Sequence, residues 1–388
     1  MSKSTKYTTP VSLNRIVDDA HAFKPLPAPS GNYPYNLVLG KLLTDEQLEK
    51  VTDSMTFHLV GDTGSARHSP FQSVLAASIN RHRTESEESP AFLYHLGDVV
   101  YNHGEASEYH HQFLSHYEAY EAPIFAIPGN HDGDINPMAE PYESLDAFTH
   151  VFCSKERMPI RFGQNSKRLT GTQPHVYWTL ETPLARIIGL YGNINKHGMI
   201  DATQKAWFKE ELKRAKAHPE KQALLICLHH APYSADSNHG SSTPMIELLD
   251  EAFEEIDILP DAVFSGHVHN YQRFVKHYPN KDVPYIVAGA GGYADLHQVA
   301  TKTDSTVSPL TAKYGKVTLE NYCDNRFGFL ALNIQRSLEN NDLKISGSYF
   351  ALTGAHDSNE EPECVDRFSF IVNNDMAETQ LERHATQE

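Results

Sequence analysis

Cysteine is scarce in this chain of 388 residues, and its four cysteines are widely spaced. No two of them form a C-x-x-C pair, so the sequence indicates neither a disulfide framework nor a zinc knuckle. Cys227 lies inside the apolar run 223–228, so we predict that its thiol is buried in the core. The other three are Cys153, Cys323 and Cys364.

Long apolar runs are also missing. No stretch approaches the ~20 residues that a membrane-spanning helix requires. Residues 1–6 are polar or charged and no apolar core follows them, so no secretory signal is visible. We therefore expect a cytoplasmic protein, or an exported one if the sequence has been trimmed at its N-terminus.

Positive charge is in short supply. The chain has 33 Lys and Arg against 50 Asp and Glu, a formal net charge of −17. Extended contact with nucleic acid or with an anionic membrane needs clustered basic residues, so we expect neither partner. If the chain acts on phosphate, the positive charge must come from metal ions rather than from a basic cleft. A charge of −17 also fits an ordinary soluble protein, and it assigns no function by itself.

Short apolar runs alternate with helix-like stretches along most of the chain. Runs of this length rich in Ile, Val, Leu and Phe suit strands buried on both faces, and the alternation favours a layered α/β fold. Thr44 and Asp201 occupy positions typical of helix caps. The predicted strands are 56–61, 91–97, 123–127, 186–192, 222–229, 261–266 and 284–290, and the predicted helices are 71–82, 105–119, 201–217 and 244–256. Beyond residue 325, the strands 327–334, 343–351 and 368–372 follow without helices and could complete a second sheet.

The same pattern divides the chain into three parts. Residues 1–45 form a polar, proline-rich arm that we expect to be extended and to lie over the body. Residues 46–372 form the main domain, and residues 373–388 form a polar tail. Within the main domain, 133–183 is a long connection that we interpret as an insertion shaping specificity, although a simple surface excursion fits equally well.

Side chains of the kinds that bind metals follow five of the apolar runs. Each group alone is weak, because a Gly-Asp after a strand is usually a turn and a lone His is usually a core residue. Together they predict one site, because a single sheet would bring them to its carboxyl edge. Carboxylate, phenolate, amide and imidazole donors suit iron, zinc or manganese. The groups are Asp62, Asp98 with Tyr101, Asn130 with His131 and Asp132, His229 with His230, and His267 with His269.

The order and identity of these motifs resemble those of the calcineurin-like metallophosphoesterases, and most closely those of the purple acid phosphatases. In that family the first motif ends in Gly, as at Gly64, and a Tyr follows the second Asp, as Tyr101 does. The resemblance covers roughly residues 56–292 and implies a two-sheet β-sandwich flanked by helices (αββα). The motifs are GDTG, GDVVY, GNHD, HHAPYS and GHVHNYQR, beginning at residues 61, 97, 129, 229 and 266.

The resemblance implies two metal ions bridged by Asp98. We prefer His230 to His229 as a ligand, because the family ligand precedes a small residue and then Pro, as in His230-Ala231-Pro232. His229 then has a supporting or structural role. The implied ligands of a ferric ion are Asp62, Asp98, Tyr101 and His269, and those of a divalent ion (iron, zinc or manganese) are Asp98, Asn130, His230 and His267.

The resemblance also implies a hydrolase of phosphate monoesters of the acid phosphatase type, in which a metal-bound hydroxide attacks phosphorus. His131 is the first choice for protonating the departing alcohol, with Asp132 beside it to orient or charge it. A structural role is the alternative for His131. His239, at 239 − 230 = 9 residues after His230, corresponds to a substrate-side His of plant-type members. Gly240 stands where those enzymes often have a further His.

Two other functions stay open on the sequence alone. A phosphodiesterase acting on nucleotides or phospholipid headgroups would use the same metal residues with a different pocket. A metal-binding protein that has lost catalysis would keep them too. The glycine-rich stretch 289–292 lacks the Lys of a phosphate-binding loop, and we interpret it as structural packing. We expect a small phosphate ester as the partner, and the sequence does not indicate an oligomeric state.

Overall fold

The computed structural model describes residues 5–15, 24–67, 70–193, 197–353 and 361–372. Its strands are β1 (Val11–Leu13), β2 (Asn36–Val38), β3 (Ser54–Val60), β4 (Leu93–His95), β5 (Ile124–Ala126), β6 (Trp178–Glu181), β7 (Ala185–Leu190), β8 (Ala223–Leu228), β9 (Ala262–Ser265), β10 (Tyr271–His277), β11 (Asp282–Ala288), β12 (Val307–Pro309), β13 (Lys316–Cys323), β14 (Gly328–Arg336), β15 (Leu343–Ala351) and β16 (Glu363–Val372).

The α-helices of the described residues are α1 (Asp45–Lys50), α2 (Pro70–Glu85), α3 (Ala106–Tyr109), α4 (Asn130–Gly133), α5 (Asp146–Phe152), α6 (Ala202–Lys216) and α7 (Thr243–Ile256). A π-helical turn, His110–Leu114, continues α3, and the 3-10 turns are Leu39–Lys41 and Ala312–Tyr314. Among the described residues, no helix is long and apolar enough to cross a membrane.

Two sheets form the inner layers. The six-stranded sheet has the order β16-β15-β14-β3-β4-β5, and its β3, β4 and β5 are parallel. The eight-stranded sheet has the order β13-β10-β11-β9-β8-β7-β6-β2, with β7, β8, β9 and β11 parallel. Every residue of β8 is buried, as expected for a strand covered on both faces.

One buried cluster fills the space between the sheets. It joins Phe57 and Tyr94 of the six-stranded sheet to Leu225 and Phe264 of the other. A second cluster packs α6 and α7 on the outer face of the eight-stranded sheet and α2 on the outer face of the other. The layers are therefore αββα, which confirms the predicted fold class.

Local signals placed the main helices well. Asp201 caps α6 by accepting a hydrogen bond from the backbone N–H of Gln204 at 2.7 Å, and Thr44 forms a capping box with Gln47. The strands predicted beyond residue 325 are β14, β15 and β16, and they complete the second sheet. The predicted helix 105–119 is shorter, because regular helix and π-turn together end at Leu114.

One expectation about the sheets was wrong, and six strands were not predicted, namely β1, β2, β6, β10, β12 and β13. The strand ends that carry the candidate ligands belong to both sheets rather than to one. The strand β10 was not predicted because the charged residues Arg273 and Lys276 interrupt its apolar pattern. Both side chains are largely buried and compensated, Arg273 by Asp366 at 2.7 Å and Lys276 by Asp250 at 2.5 Å.

The predicted division of the chain stays a prediction. Inside the arm 1–45, β1 pairs with β12 and β2 pairs with β6, so its described parts lie against the body. The connection 133–183 contains α5 and β6. The predicted tail 373–388 lies outside the described residues.

A buried pair of histidines joins β3 to α2. The Nε2 atom of His58 lies 3.0 Å from Nδ1 of His82, and its Nδ1 lies 3.1 Å from the hydroxyl of Tyr120. Burial, reinforced by His82 and Arg83, lowers the pKa of His58 well below its ordinary value. Burial likewise lowers the pKa of His82. The lowered pKa values favour the neutral form of both rings in the folded protein, most strongly for the fully buried His58, so unfolding below the ordinary histidine pKa of ~6.5 is accompanied by proton uptake.

We predict that the free energy of unfolding falls as the pH decreases below ~6.5, by up to ~1.4 kcal/mol per pH unit for each such histidine. The sign follows because depressed histidine pKa values favour the folded state only while the rings stay neutral. Urea denaturation between about pH 7.5 and 5.5 measures this slope. His58→Gln should make it shallower, and the exposed control His111→Gln should not. Equal slopes for His58→Gln and the unmodified chain would contradict the assignment.

Candidate metal centre

The candidate ligands meet where the carboxyl ends of the two sheets converge. Asp62, Asp98 and Asn130 follow β3, β4 and β5, whereas the paired histidines follow β8 and β9 of the other sheet. Backbone hydrogen bonds join the two rims, from Gly61 N–H to Ala288 O at 2.8 Å and from Tyr293 N–H to Asp62 O at 3.1 Å. The site is therefore a seam between the sheets rather than the edge of one.

Three of these residues have left-handed backbone. The φ angles are 60° at Asp62, 54° at Asp98 and 68° at His267. Such angles are unfavourable for residues with a Cβ and persist where the surroundings hold them. Here the carboxylate of Asp62 accepts the backbone N–H of His267 at 2.9 Å, and the carboxylate of Asp132 accepts the N–H of Val99 at 3.0 Å.

Asp62, Tyr101 and His269 form the first half of the centre. The Tyr101 hydroxyl lies 3.0 Å from Oδ1 of Asp62 and 3.2 Å from Nε2 of His269. Nε2 of His269 lies 3.6 Å from the same carboxylate oxygen. All three side chains are buried, so three donor atoms of the types that bind iron converge in one place.

Asn130, His229 and His267 form the second half. Oδ1 of Asn130 lies 3.1 Å from Nε2 of His229 and 3.0 Å from Nδ1 of His267. Nε2 of His229 also lies 3.3 Å from Oδ2 of Asp98. One ligand atom from each of Asp98, His229 and His267 lies within 4.8 Å of the others.

Asp98 lies between the two halves. It contacts His229 in the second half, and a hydrogen bond to it contributes to the raised pKa of Tyr101 in the first. This is the position that a carboxylate shared by two ions would need. The geometry therefore agrees with the predicted bridging role of Asp98, which stays a proposal.

The electrostatics of these buried side chains favour a bound cation. Burial, with added repulsion from Asp98, raises the pKa of Asp62 well above its ordinary value. Burial opposes charge on His229, but the adjacent Asp98 carboxylate overcomes this and raises its pKa to about 9. Burial and the neighbouring imidazoles lower the pKa of His267. Crowded carboxyl groups beside a neutral imidazole such as that of His267 suit metal ions, because a cation relieves the repulsion and uses the free nitrogen lone pair. At His229 a cation would have to displace the proton that Asp98 stabilises.

The geometry favours His229 as the proposed metal ligand, whereas the motif spacing favoured the adjacent His230. His229 directs Nε2 at Asp98 and Asn130, and its Nδ1 lies 2.8 Å from Leu96 O, which fixes the ring. The ring of His230 lies at 4.6 Å from that of His267, close to Gly192 on the other side. The cluster of side chains that could hold a metal ion contains His229 together with Asp98 and His267. We therefore propose His229 as the ligand in place of His230.

The predicted proton donor His131 lies at the rim of the centre. Its backbone N–H donates to Oδ1 of Asp98 at 2.9 Å, and its ring packs against that of Tyr101, with centroids 4.4 Å apart. Nδ1 lies 2.6 Å from the carbonyl oxygen of Asn102, which can only accept, so this nitrogen carries a hydrogen. Nε2 is left to face a substrate.

The role predicted for Asp132 was wrong in its contacts. Its buried carboxylate accepts backbone N–H groups from Val99, Val100 and Gly129 at 2.8–3.2 Å, rather than the ring of His131. It therefore fixes the loops that carry Asp98 and Asn130.

His239 packs against a proposed ligand in each half of the centre. Its ring is 4.1 Å from that of His267 and 5.9 Å from that of His269, centroid to centroid. Burial and four neighbouring imidazoles lower its pKa well below the ordinary value.

Sequence reasoning missed His297, Tyr293 and Asp236. The ring of His297 stacks on that of His269 at 4.4 Å, and the ring of Tyr293 lies 4.3 Å from that of Tyr101. Oδ2 of Asp236 lies 3.6 Å from Nδ1 of His297. Both His297 and Tyr293 follow the end of β11, so the rule that selected His267 would have found them too.

A helix-flanked double sheet with carboxylate, phenol and imidazole groups at the seam defines the metallophosphoesterase class of fold and site. Residues 55–271 match the calcineurin-like phosphoesterase family, and the chain belongs to that family.

The relatives lie among the purple acid phosphatases. Purple acid phosphatase 1 of Ipomoea batatas is 26% identical over 227 residues, 56% of this chain and 42% of that protein. Phosphoenolpyruvate phosphatase of Allium cepa is 26% identical over 295 residues, 69% of this chain and 55% of that protein. The chain thus spans about half the length of these relatives.

Two solved structures share the fold. A purple acid phosphatase from seeds of Lupinus luteus has a TM-score of 0.54 at 18% identity, covering 82% of this chain and 54% of that one. PhoD has a TM-score of 0.51 at 14% identity, covering 93% and 74%.

The geometry predicts unequal effects of two matched substitutions. His229→Gln should lower the affinity for a divalent ion by more than the ~10–100-fold typical of residues that only support a ligand. His230→Gln should stay within that range, because its ring packs against those of His229 and His267, whereas His229 directs Nε2 at Asp98 and Asn130. Equilibrium titration with zinc, followed by metal analysis, measures both. A greater loss in His230→Gln would restore the sequence-based preference.

Proposed function

We propose that the protein is a binuclear metal-dependent hydrolase of phosphate monoesters, of the purple acid phosphatase type. The observation that carries this proposal is the Tyr101 hydroxyl, which lies within 3.2 Å of both Asp62 and His269 at a seam shared with Asp98. A phenol beside a buried carboxylate and an imidazole is a donor set suited to ferric iron. The purple acid phosphatase relatives support the same reading.

The proposed ion pair follows the two halves of the site. Asp62, Tyr101 and His269 would hold a ferric ion, Asn130, His229 and His267 would hold a divalent ion, and Asp98 would contact both. Two such ions supply positive charge for the phosphoryl group and acidify a water molecule that attacks phosphorus. The divalent ion is iron, zinc or manganese in this proposal.

The two proposed ions would give the site a net positive charge, although the protein as a whole carries a net negative charge. A ferric and a divalent ion bring +5, and Asp62, Asp98 and the phenolate of Tyr101 bring −3, leaving +2 before water binds. Burial and the nearby Asp62 and Asp98 carboxylates raise the pKa of Tyr101 well above its ordinary value in the metal-free chain. Tyr101 therefore donates a hydrogen bond to Asp62 without metal, and a ferric ion must displace that proton on binding.

His131 is the proposed proton donor to the departing alcohol. Its fixed Nδ1–H leaves Nε2 as the atom that can carry the transferable proton, and the charged ring would also attract phosphate. His239, packed on His267, is the second candidate for contact with substrate. Asp132 supports the site through the backbone and takes no part in proton transfer.

We predict that protein loaded aerobically with iron is coloured by a phenolate-to-iron charge-transfer band. Tyr101→Phe should lose the band, because it removes the only phenolic oxygen placed beside Asp62 and His269 within the described part of the chain. Tyr293→Phe is the matched control, since its ring also contacts His269 but its hydroxyl is not a proposed ligand. Colourless protein with stoichiometric iron would contradict the ferric–phenolate assignment.

We predict that monoesters are cleaved faster than diesters. The measurement compares kcat/KM on an aryl phosphate, a bis-aryl phosphate, an alkyl phosphate and phosphoenolpyruvate. Phosphoenolpyruvate is included because the Allium cepa relative is a phosphatase of that compound by name. Faster cleavage of the diester would favour the phosphodiesterase alternative, and no hydrolysis of any ester between about pH 4 and 8 would favour a non-catalytic metal-binding protein.

The variant His131→Gln, assayed on the same substrates, tests the proposed proton donor. It should lower the rate on the alkyl phosphate by about 10²-fold and affect the aryl phosphate less, because a good leaving group needs little protonation. His103→Gln is the control, since His103 lies in the adjacent loop and pairs with Asp134 at 2.9 Å. An equal loss on both substrates would remove His131 from the proton-transfer step.

A further inference from the structure

The segment 293–297, which follows β11, lies against the first half of the metal centre through its backbone. The N–H of Tyr293 donates to the carbonyl oxygen of Asp62 at 3.1 Å. The N–H of His297 donates to the carbonyl oxygen of His269 at 3.0 Å. Two proposed ligands of one ion are thus tied to one short piece of chain outside the family match, which ends at residue 271.

A third backbone contact fixes the His269 ring itself. Nδ1 of His269 lies 3.0 Å from the carbonyl oxygen of Asp295, which can only accept a hydrogen bond. Nδ1 therefore carries the hydrogen, and Nε2, the atom beside Tyr101 and Asp62, keeps its lone pair. Outer partners of this kind fix the tautomer and orientation of metal-binding histidines.

The side chains of the segment pack on the same two rings. The ring of His297 stacks on that of His269, with centroids 4.4 Å apart and planes 24° apart. The ring of Tyr293 lies 4.5 Å from that of His269 and 4.3 Å from that of Tyr101. These contacts leave the His269 ring little freedom to turn away from Tyr101.

Contacts with other parts of the chain in turn hold His297 in place. Its Nδ1 lies 3.6 Å from Oδ2 of Asp236, a fully buried carboxylate whose other oxygen accepts the N–H of His239 at 2.7 Å. Its carbonyl oxygen accepts a hydrogen bond from the side chain of Asn270 at 2.8 Å. His297 is therefore held through its backbone, and only 10% of its side chain is exposed.

We infer that His297 is a positioning residue for the Tyr101-side metal ion, acting through the face of its ring on His269. It lies outside the proposed ligand set, and it keeps Nε2 of His269 aimed at the point shared with Tyr101 and Asp62. The inference rests on the metal centre of the proposed function. It requires nothing of the ester that is cleaved.

The test measures how fast iron leaves the loaded protein in the presence of a chelator, followed by the charge-transfer band and by metal analysis. His297→Ala removes the stacked ring and should speed the loss of iron about 10-fold or more, in line with other outer-shell partners. The ion bound by Asn130, His229 and His267 should be lost at a nearly unchanged rate. A residue with only a general structural role would affect both ions alike.

Two further variants separate the ring face from other effects. His297→Phe keeps an aromatic face on His269 and should release iron within about threefold of the unmodified rate. Asp295→Ala is the matched control, because it removes the exposed ion pair with Arg67 and keeps the carbonyl oxygen that holds His269. If His297→Ala does not fold, His297→Gln replaces it with the same expectation.

Iron loss from His297→Ala, or from His297→Gln in its place, at the unmodified rate would overturn the inference. Equally fast loss from His297→Phe would overturn it too, because stacking would then not be the cause. Both results are obtained without any ester present. A protein that holds iron as described but cleaves no ester would therefore contradict the proposed function and leave this inference standing.

Discussion

The structure depends on two carboxylates, Asp62 and Asp98, that are buried side by side at the ends of neighbouring parallel strands. Buried carboxylates are costly unless hydrogen bonds or cations compensate them. Backbone N–H groups of His267 and His131 provide part of that compensation. Space for it comes from glycine, because a Cβ at Gly266 would lie 2.6 Å from Oδ2 of Asp62, and one at Gly129 would collide with Oδ1 of Asp98. The glycines of the motifs are therefore part of the carboxylate site.

The burial of both carboxylates at strand ends explains why the location of the site could be predicted from the sequence, whereas the orientation of some of its side chains could not. A polar residue directly after an apolar run marks a strand end, and Asp62, Asp98, Asn130 and His269 all meet at the centre as predicted. The match to the calcineurin-like phosphoesterase family confirms the predicted family, and the relatives confirm its closeness to the purple acid phosphatases. Strand ends carry this information because the backbone there has left its ladder and can expose side chains.

The sequence could not show the direction in which individual side chains point. His229 and His230 are adjacent, and motif spacing cannot show which of the two rings lies beside Asp98, as that of His229 does. Asp132 is next to His131 in the chain, yet its carboxylate turns inward to three backbone N–H groups. The strand β10 was hidden because the buried charges of Arg273 and Lys276 are compensated by Asp366 and Asp250, which are distant in sequence. Each miss reflects a contact that no local pattern encodes.

The proposed ligands and the segments that support them lie in different parts of the chain. Residues 55–271 carry all the proposed ligands, while the backbone of 293–297 and the arm hold them from outside. Val11 in the arm donates its N–H to Ser234 O and accepts the N–H of Ser241, both at 2.8 Å, so it brackets the loop that carries His239. Ala300, just beyond His297, accepts the N–H of Tyr7 in the same arm at 2.9 Å. Donor atoms can be encoded by short motifs, but their mutual distances are set by segments far away in the chain. Affinity for the two ions and access to His239 should therefore depend on these outer segments as well as on the motifs.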